Sequence, residues 1–186
     1  MEVQFIPAPD LSKFQLYTAD AGAVRPNGTN QGGAFFFPFQ WNIRQVSADA
    51  AWDSTPGGSG EIVCLLDTGI DPDHLDLQGK VIPSALVSFI SAPLFPGDLD
   101  PIDYNFHGNA SAGHISSNGI GMASVAPDAS LCSAKVLNVL GSGSFADVIA
   151  GIYWASEAVG ADVINMSLGA YVDLEVPGTP VLVDLL

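Results

Sequence analysis

The segment Glu61-Ile-Val-Cys-Leu-Leu-Asp67 constrains the fold most, because it is apolar without interruption, has the length of a strand, and ends in an acid before a glycine turn. Such a run is typical of a strand buried on both faces of a parallel sheet. Three further runs of this kind lie at residues 81–90, where Pro83 interrupts the run, at 129–137 and at 161–168. The sequence therefore predicts several buried strands.

Helical segments separate these runs. Between the last two, apolar residues recur at helical spacing over 145–159, with Ser144 as a plausible N-cap and Gly160 as the C-terminal stop. A shorter amphipathic segment from Trp41 predicts one or two helical turns, ended by the glycine-rich turn at 56–60. Alternating strands and helices predict an α/β fold with an open, parallel sheet.

Composition limits the partners. The 186 residues, 48% of them hydrophobic, suffice for one domain of about 100 to 200 residues with its own core. With 20 acidic and 5 basic residues the net charge is −15, which excludes nucleic acid and anionic membrane surfaces as partners. No apolar run approaches the roughly 18 to 20 residues of a membrane span, and the first residues lack a secretory signal.

The two cysteines, Cys64 and Cys132, lie inside apolar runs and have neither a second cysteine nor a histidine at ligand spacing. We interpret them as buried, unreactive thiols, with no disulfide framework and no metal site. They leave the redox compartment undecided.

The two ends of the chain differ from its centre. Residues 1–39 contain four prolines and a polar, glycine-bearing run without periodicity, and they predict an extended N-terminal arm. Near the other end, Thr179 and Pro180 predict the start of an apolar helix that has barely two turns by Leu186. We expect from this that the sequence was cut inside an element and that residues 40–186 form an incomplete domain.

Ligands of an open parallel sheet bind beyond the carboxyl ends of its strands, where polar residues follow three of the predicted elements. Asp67 ends the first strand, His107 opens a segment of small residues, and Ser167-Leu168-Gly169 ends the last strand. A buried carboxylate bonded to one imidazole nitrogen leaves the other nitrogen basic, as in a general-base pair. From the residues alone, a turn-forming aspartate and a structural histidine are the alternative.

The motifs around these residues resemble those of the subtilisin-like serine proteases. The segment Leu66-Asp67-Thr68-Gly69-Ile70-Asp71 is similar to the family's catalytic-aspartate motif, and His107-Gly108 followed by Ala112-Gly113 to its catalytic-histidine motif. The similarity continues in order through residues 125–137, 141–143 and 162–169, and extends from about Gln40 to Gly169. The resemblance implies a three-layer α/β fold: an open, mostly parallel sheet with helices on both faces, apparently truncated after the central strands.

The resemblance also implies a serine-type endopeptidase. Asp67 would orient and stabilise protonated His107, and His107 would take the proton of a nucleophilic serine. The backbones of two segments would form the walls of the substrate cleft and pair with an extended peptide: Gly141, Ser142 and Gly143 on one side, and Ser167, Leu168 and Gly169 on the other.

The main departure from the family pattern concerns the nucleophile, and a smaller one concerns the residues after His107. The family's Gly-Thr-Ser-Met-Ala type motif and its oxyanion-hole asparagine do not occur in the 186 residues, so we predict that this chain alone is inactive. Asn109 and Ala110 also replace a threonine and a second histidine that usually follow the catalytic histidine. The alternative function is a non-catalytic, peptide-binding pseudoenzyme.

The remaining expectations follow from the resemblance. No cofactor or metal ligand is assigned; calcium is possible, with help from Asp76 and Asn118, and is left open. His74 and His114 are interpreted as structural or surface residues. The expected partner is a peptide or protein substrate, the full-length protein is expected to be monomeric, and the family favours a secreted, extracellular location. Residues 1–39 are either the remnant of a propeptide or an N-terminal arm.

Overall fold

The computed structural model describes residues 31–171 and 182–185, with the backbone alone at 171 and 182–185. Residues 1–30, which make up most of the predicted arm, lie outside this range. The helices are α1 (Trp41–Gln45), α2 (Ala48–Ala51), α3 (His107–Ile115) and α4 (Phe145–Tyr153), the last continued by a π-helical turn, Trp154–Val159. The strands are β1 (Ile62–Asp67), β2 (Val81–Ser88), β3 (Ser130–Lys135), β4 (Ser142–Ser144), β5 (Val163–Asn165), β6 (Leu168–Tyr171) and β7 (Leu182–Leu185).

Four of the strands form a parallel sheet in the order β2-β3-β1-β5. β1 lies between β3, where Ile62 pairs with Ser130, and β5, where Val63 pairs with Val163. A bulge between Val81 and Leu86 interrupts the pairing of β2 with β3, close to the position of Pro83, which has no N–H to donate. The predicted parallel sheet is confirmed.

Alternate residues of β1 face opposite sides of the sheet, and each side is covered by a different helix. Val63 and Leu65 belong to a cluster that includes Ala112 of α3. Cys64 and Leu66 belong to a second cluster that includes Val148 of α4. The strand is therefore buried on both faces, as its uninterrupted apolar run predicts, and the fold has three layers.

The ends of α4 agree with the sequence prediction. The Ser144 hydroxyl accepts from the Asp147 N–H at 3.1 Å, and the Asp147 carboxylate accepts from the Ser144 N–H at 3.3 Å, which completes a capping box. Gly160 ends the following π-helical turn with a φ of +71°, a conformation that favours glycine. Among the described helices, none is both long and apolar enough to cross a membrane.

The first helices belong to a smaller core of their own. The turns predicted from Trp41 onward are present as α1 and α2, which pack Ile43 and Trp52 with Phe37 in a third apolar cluster. Residues 31–39 contact this part of the domain, since the buried Gln31 side chain accepts from the Ser124 N–H at 2.6 Å. The last residues of the predicted arm therefore pack against the domain.

Two predictions about the later strands need correction. The run at 161–168 is not one strand: β5 ends at Asn165 and β6 begins at Leu168, in a different sheet. The helix predicted after Pro180 is wrong over 182–185, where the backbone forms β7, while Thr179 and Pro180 themselves lie outside the described residues. A helix of two turns is marginal without packing, whereas β4 and β6 offer backbone partners to a strand.

This second sheet has three antiparallel strands in the order β4-β7-β6. Gly143 of β4 pairs with Val183 of β7, and Gly169 of β6 pairs with Asp184. The central strand of the sheet therefore lies between the two segments predicted to be the walls of a peptide cleft.

The interpretation of the cysteines as free thiols is wrong. Cys64 and Cys132 form a disulfide, with their Cα atoms 4.4 Å apart and both residues 0% exposed. The two residues are direct partners in the register of β1 and β3, although 68 positions separate them in the sequence. Spacing alone could not predict this pairing, because it depends on which strands are neighbours.

Candidate active site

Asp67 is the last residue of β1, at the carboxyl end of the central parallel strand, and it is fully buried. Its Oδ1 accepts a hydrogen bond from the Thr68 N–H at 2.6 Å and lies 2.8 Å from Nδ1 of His107. A carboxylate at this depth is stabilised by such hydrogen bonds and by an opposite charge. The arrangement therefore places one oxygen of a buried carboxylate against a nitrogen of an imidazole.

His107 is the first residue of α3, and its side chain is 24% exposed, so one edge of the ring meets the carboxylate while another part reaches the surface. Because an ionised carboxylate can only accept, Nδ1 of His107 is assigned as the protonated nitrogen. Nε2 is then the basic nitrogen, free to take a proton from another group. The structure thus brings Asp67 and His107 together across the top of the sheet.

A pocket of about 610 Å³ adjoins the imidazole. Its lining includes His107 and Ser111 of α3, and Asn165 and Ser167 from the end of β5 onward. A pocket beside a buried carboxylate and a partly exposed histidine is a reasonable place for a reacting group. One of the predicted cleft residues, Ser167, therefore shares a pocket with the predicted base.

The other predicted cleft residues lie along the second sheet. Ser142 and Gly143 pair with β7 from one side, and Leu168 and Gly169 pair with it from the other. Gly141 precedes β4 with a φ of +79° and donates its N–H to the Asn138 carbonyl at 2.8 Å. Both segments thus present backbone hydrogen-bonding groups to one strand that lies between them, as an extended peptide would require.

Three buried groups next to the pair were not predicted as site residues: Thr68, Asp103 and Lys135. Lys135 is 0% exposed, and its Nζ donates to the Thr68 carbonyl at 2.5 Å and to the Ile102 carbonyl at 3.2 Å. Asp103 is 6% exposed, although it belongs to the acidic segment 98–103. A signal was present for Lys135, because a lysine at the end of a buried apolar run requires partners inside the fold.

Burial lowers the pKa of Lys135 below its ordinary value of 10.5, and the nearby carboxylates Asp98, Asp103, Asp100 and Asp67 partly offset this effect. The pKa of Tyr104 is raised above 10.0, chiefly because its hydroxyl donates to the Asp100 carboxylate at 3.1 Å. Lys135 is therefore a buried lysine close to the carboxylates of Asp98, Asp100 and Asp103.

The lowered pKa of Lys135 predicts a pH dependence of stability. Between that lowered pKa and 10.5 the unfolded chain binds more protons than the native state at this residue, so the free energy of unfolding gains a positive slope with pH. We expect Lys135→Met to remove this contribution, measured as the difference from the parent in urea unfolding across the alkaline range. The raised pKa of Tyr104 acts in the opposite direction, and this tyrosine is present in both proteins. Lys80→Met, in which a partly exposed lysine is lost, is the control; the same slope in Lys135→Met as in the parent would contradict the prediction.

Asp76, which was considered for calcium, and His74 lie away from the pair, whereas His114 lines the same pocket as His107. The carboxylate of Asp76 is 5% exposed and accepts from the N–H groups of Ile120, Gly121 and Met122 at 2.7 to 3.1 Å. His74 Nδ1 bonds the Asp76 N–H at 3.3 Å, and His114 Nδ1 bonds the Ala110 carbonyl at 2.7 Å. Within residues 31–171 and 182–185 there is no group of three or more His, Cys, Asp or Glu that could hold a metal ion.

Comparisons with known proteins identify the family of this chain. The model of the subtilase family, Peptidase_S8, matches residues 58–182. A thermophilic serine proteinase from Bacillus sp. (strain AK1) is 37% identical over 150 residues, which are 79% of this chain and 34% of the relative. An intracellular serine protease from Paenibacillus polymyxa is 41% identical over 71% of this chain and 40% of the relative. Thermitase from Thermoactinomyces vulgaris is 36% identical over 74% of this chain and 47% of the relative.

The chain thus spans less than half the length of each of these three relatives. Within that span, the family model includes β1 and α3, the two elements that hold Asp67 and His107 together. On the extent of this match, the chain belongs to the subtilase family of serine proteases.

Proposed function

We propose that this chain is part of a serine-type endopeptidase in which Asp67 and His107 are two members of an Asp-His-Ser triad. The observation that carries the proposal is the 2.8 Å contact between Asp67 Oδ1 and His107 Nδ1, with the aspartate fully buried and the imidazole partly exposed beside a pocket. This is the geometry that a general base needs, since one nitrogen is fixed and the other is available.

In the proposed reaction, Nε2 of His107 takes the proton of a serine hydroxyl while the serine oxygen attacks a peptide carbonyl, and then gives the proton to the leaving amine. Asp67 stabilises the imidazolium that forms and remains ionised itself. The serine and the oxyanion donors would come from outside these 186 residues, because the family's Gly-Thr-Ser-Met-Ala type motif and its oxyanion-hole asparagine do not occur among them. We therefore propose that residues 1–186 alone are inactive.

The proposed substrate is an extended peptide. Two antiparallel ladders support this choice, because β4 and β6 each pair with the central strand β7 through their backbones. A peptide in the same place would bond through its main chain, which gives affinity with little dependence on side chains. Gly143 packs tightly against the residue that follows β3, since a Cβ at position 143 would lie 2.0 Å from the Val136 carbonyl oxygen.

We further propose that the full-length protein is secreted and monomeric. The disulfide between Cys64 and Cys132 supports an oxidising, extracellular location, because such bonds persist there and are rare in the cytosol. Relatives give no uniform answer, since one of them is named an intracellular protease. The monomeric state rests on the family resemblance alone.

A fluorophosphonate probe, which reacts with an activated serine, tests the proposal. We expect the full-length gene product to be labelled and His107→Ala to be unlabelled, because the serine then has no base. His74→Ala is the control, since that histidine bonds the Asp76 N–H in a turn outside the pair. Labelling that persists in His107→Ala would overturn the assignment of the base.

The second candidate is a non-catalytic, peptide-binding domain, and the pairing of β7 between β4 and β6 is the observation that favours it. It predicts that the full-length product resists the probe but still binds an extended peptide. Peptide binding by an unlabelled product would support this alternative.

A further inference from the structure

A second buried carboxylate, Asp103, lies behind the proposed catalytic pair, and neither composition nor the family motifs assign it a role. Its side chain is 6% exposed and both of its oxygens are hydrogen-bonded. Oδ1 accepts from the Thr68 hydroxyl at 2.9 Å, and from the N–H groups of Asn105 at 2.9 Å and Phe106 at 3.0 Å. Oδ2 accepts from the Asn109 N–H at 2.8 Å.

These bonds join the two residues that follow the proposed catalytic ones. Thr68 is the neighbour of Asp67, and Gly108 is the neighbour of His107. The Thr68 hydroxyl accepts from the Gly108 N–H at 3.0 Å while it donates to Asp103. A second hydrogen bond, between Gly108 and Thr68, therefore joins the residues that follow His107 and Asp67. Asp103 holds the Thr68 hydroxyl that makes this bond.

The start of α3 needs such an anchor. Phe106, the residue before His107, has a φ of +78°, a conformation that costs a non-glycine residue about 1 to 3 kcal/mol, and its side chain makes no capping bond. Asp103 and Thr68 together accept three of the N–H groups that the first turn of a helix leaves without intrahelical partners. Negative charge at this end of a helix is also favourable.

We propose that Asp103 and Thr68 are positioning residues: they fix the first turn of α3 against the end of β1 so that His107 Nδ1 meets Asp67 Oδ1. The inference rests on the proposed endopeptidase function. Asp103 makes no hydrogen bond with the imidazole, so its effect on the reaction is exerted through the backbone on both sides of His107. Lys135 supplies the buried positive charge beside this network and donates to the Thr68 carbonyl.

The test compares four variants of the full-length product: Asp103→Asn, Thr68→Val, Thr68→Ser and Asp76→Asn. Misplacement of a reacting group by about 1 Å can cost about 100-fold in rate. We expect Asp103→Asn and Thr68→Val to lower kcat about 10- to 100-fold with KM within about twofold of wild type. Thr68→Ser restores the hydroxyl and is expected to recover most of the kcat lost in Thr68→Val.

Asp76→Asn is the matched control, because Asp76 is also a buried aspartate that accepts from backbone N–H groups, in a loop that makes no bond to His107. We expect it to lower the thermal midpoint as much as Asp103→Asn does, with kcat unchanged. Equal losses of stability with wild-type kcat in both Asp103→Asn and Thr68→Val would overturn the proposal. If Asp103→Asn does not fold, the comparison of kcat between Thr68→Val and Thr68→Ser still tests the positioning role.

Proton NMR separates this proposal from the proposed function. A proton shared by Nδ1 of His107 and Asp67 gives a downfield resonance, assigned by its loss in His107→Ala. The resonance is expected to shift or broaden in Asp103→Asn and Thr68→Val and to persist in Thr68→Ser and Asp76→Asn, whether or not the product is labelled by the serine probe. If the serine probe does not label the product but the resonance changes in Asp103→Asn and Thr68→Val, the endopeptidase function is contradicted and the positioning role is supported. If the resonance is unchanged in both variants, the positioning role is contradicted.

Discussion

Asp67→Asn in the full-length product is expected to lower kcat about ten-thousand-fold and to leave KM almost unchanged. The carboxylate accepts from both the Thr68 N–H and His107 Nδ1 through one oxygen. An asparagine amide can point its NH₂ group at the imidazole, which then holds its proton on the wrong nitrogen, and it has no charge to stabilise the imidazolium. KM stays constant because the buried Asp67 contacts the base and not the proposed peptide strand.

Steady-state hydrolysis of a peptide substrate measures this loss, and far-ultraviolet circular dichroism checks that the variant is folded. Asp73→Asn is the control, since Asp73 is an exposed acid in the turn that follows β1. We expect that control to stay within about twofold of wild type, as surface substitutions usually do. A kcat for Asp67→Asn within tenfold of wild type would show that the pair does not act as proposed.

Gly108→Ala is expected to be the most damaging small substitution in α3. A Cβ at residue 108 would lie 2.0 Å from the Gly69 carbonyl oxygen and 3.2 Å from the Thr68 hydroxyl. Since both contacts involve the turn that follows β1, the helix must move away from the strand that carries Asp67. We expect a loss of about 3 kcal/mol in the free energy of unfolding, as for overpacked cores, and a kcat about 100-fold lower.

Gly113→Ala is the matched control in the same helix. A Cβ at residue 113 would have no atom within 4 Å outside its own turn of helix, and alanine favours a helix over glycine by about 1 kcal/mol. That variant is expected to be as stable as wild type or more so. Urea unfolding of both variants measures the difference; equal stability of Gly108→Ala and Gly113→Ala would mean that α3 and the turn can separate at no cost.

The sequence predicts the parts of the fold that local patterns determine. The apolar run of β1 is buried on both faces, and Ser144 and Gly160 bound the helical segment between them as expected. The proximity of Asp67 and His107 was expected from the resemblance to the subtilisin-like serine proteases, whereas the residues alone left a turn-forming aspartate and a structural histidine as the alternative.

What the sequence did not predict depends on long-range neighbours. The disulfide requires β1 and β3 to be adjacent in register, and the strand at 182–185 exists because β4 and β6 present free backbone groups. Asp103 belongs to an acidic segment that is indistinguishable, by composition, from a solvated turn. Only its burial against Thr68 and the start of α3 shows that it is an internal hydrogen-bonding group.

The position of β1 has a consequence for the order in which the protein assembles during synthesis. The strand emerges from the ribosome before both of its neighbours. Cys132 of β3 follows Cys64 by 68 residues, and Asp162, which precedes β5 and bonds the Ile62 N–H, follows Ile62 by 100 residues. Closing such long loops costs entropy before any pairing compensates for it, so the sheet forms slowly. β1 therefore lacks one of its two neighbouring strands until nascent chain as far as residue 165 is available, and its backbone groups on that side are unpaired in that interval.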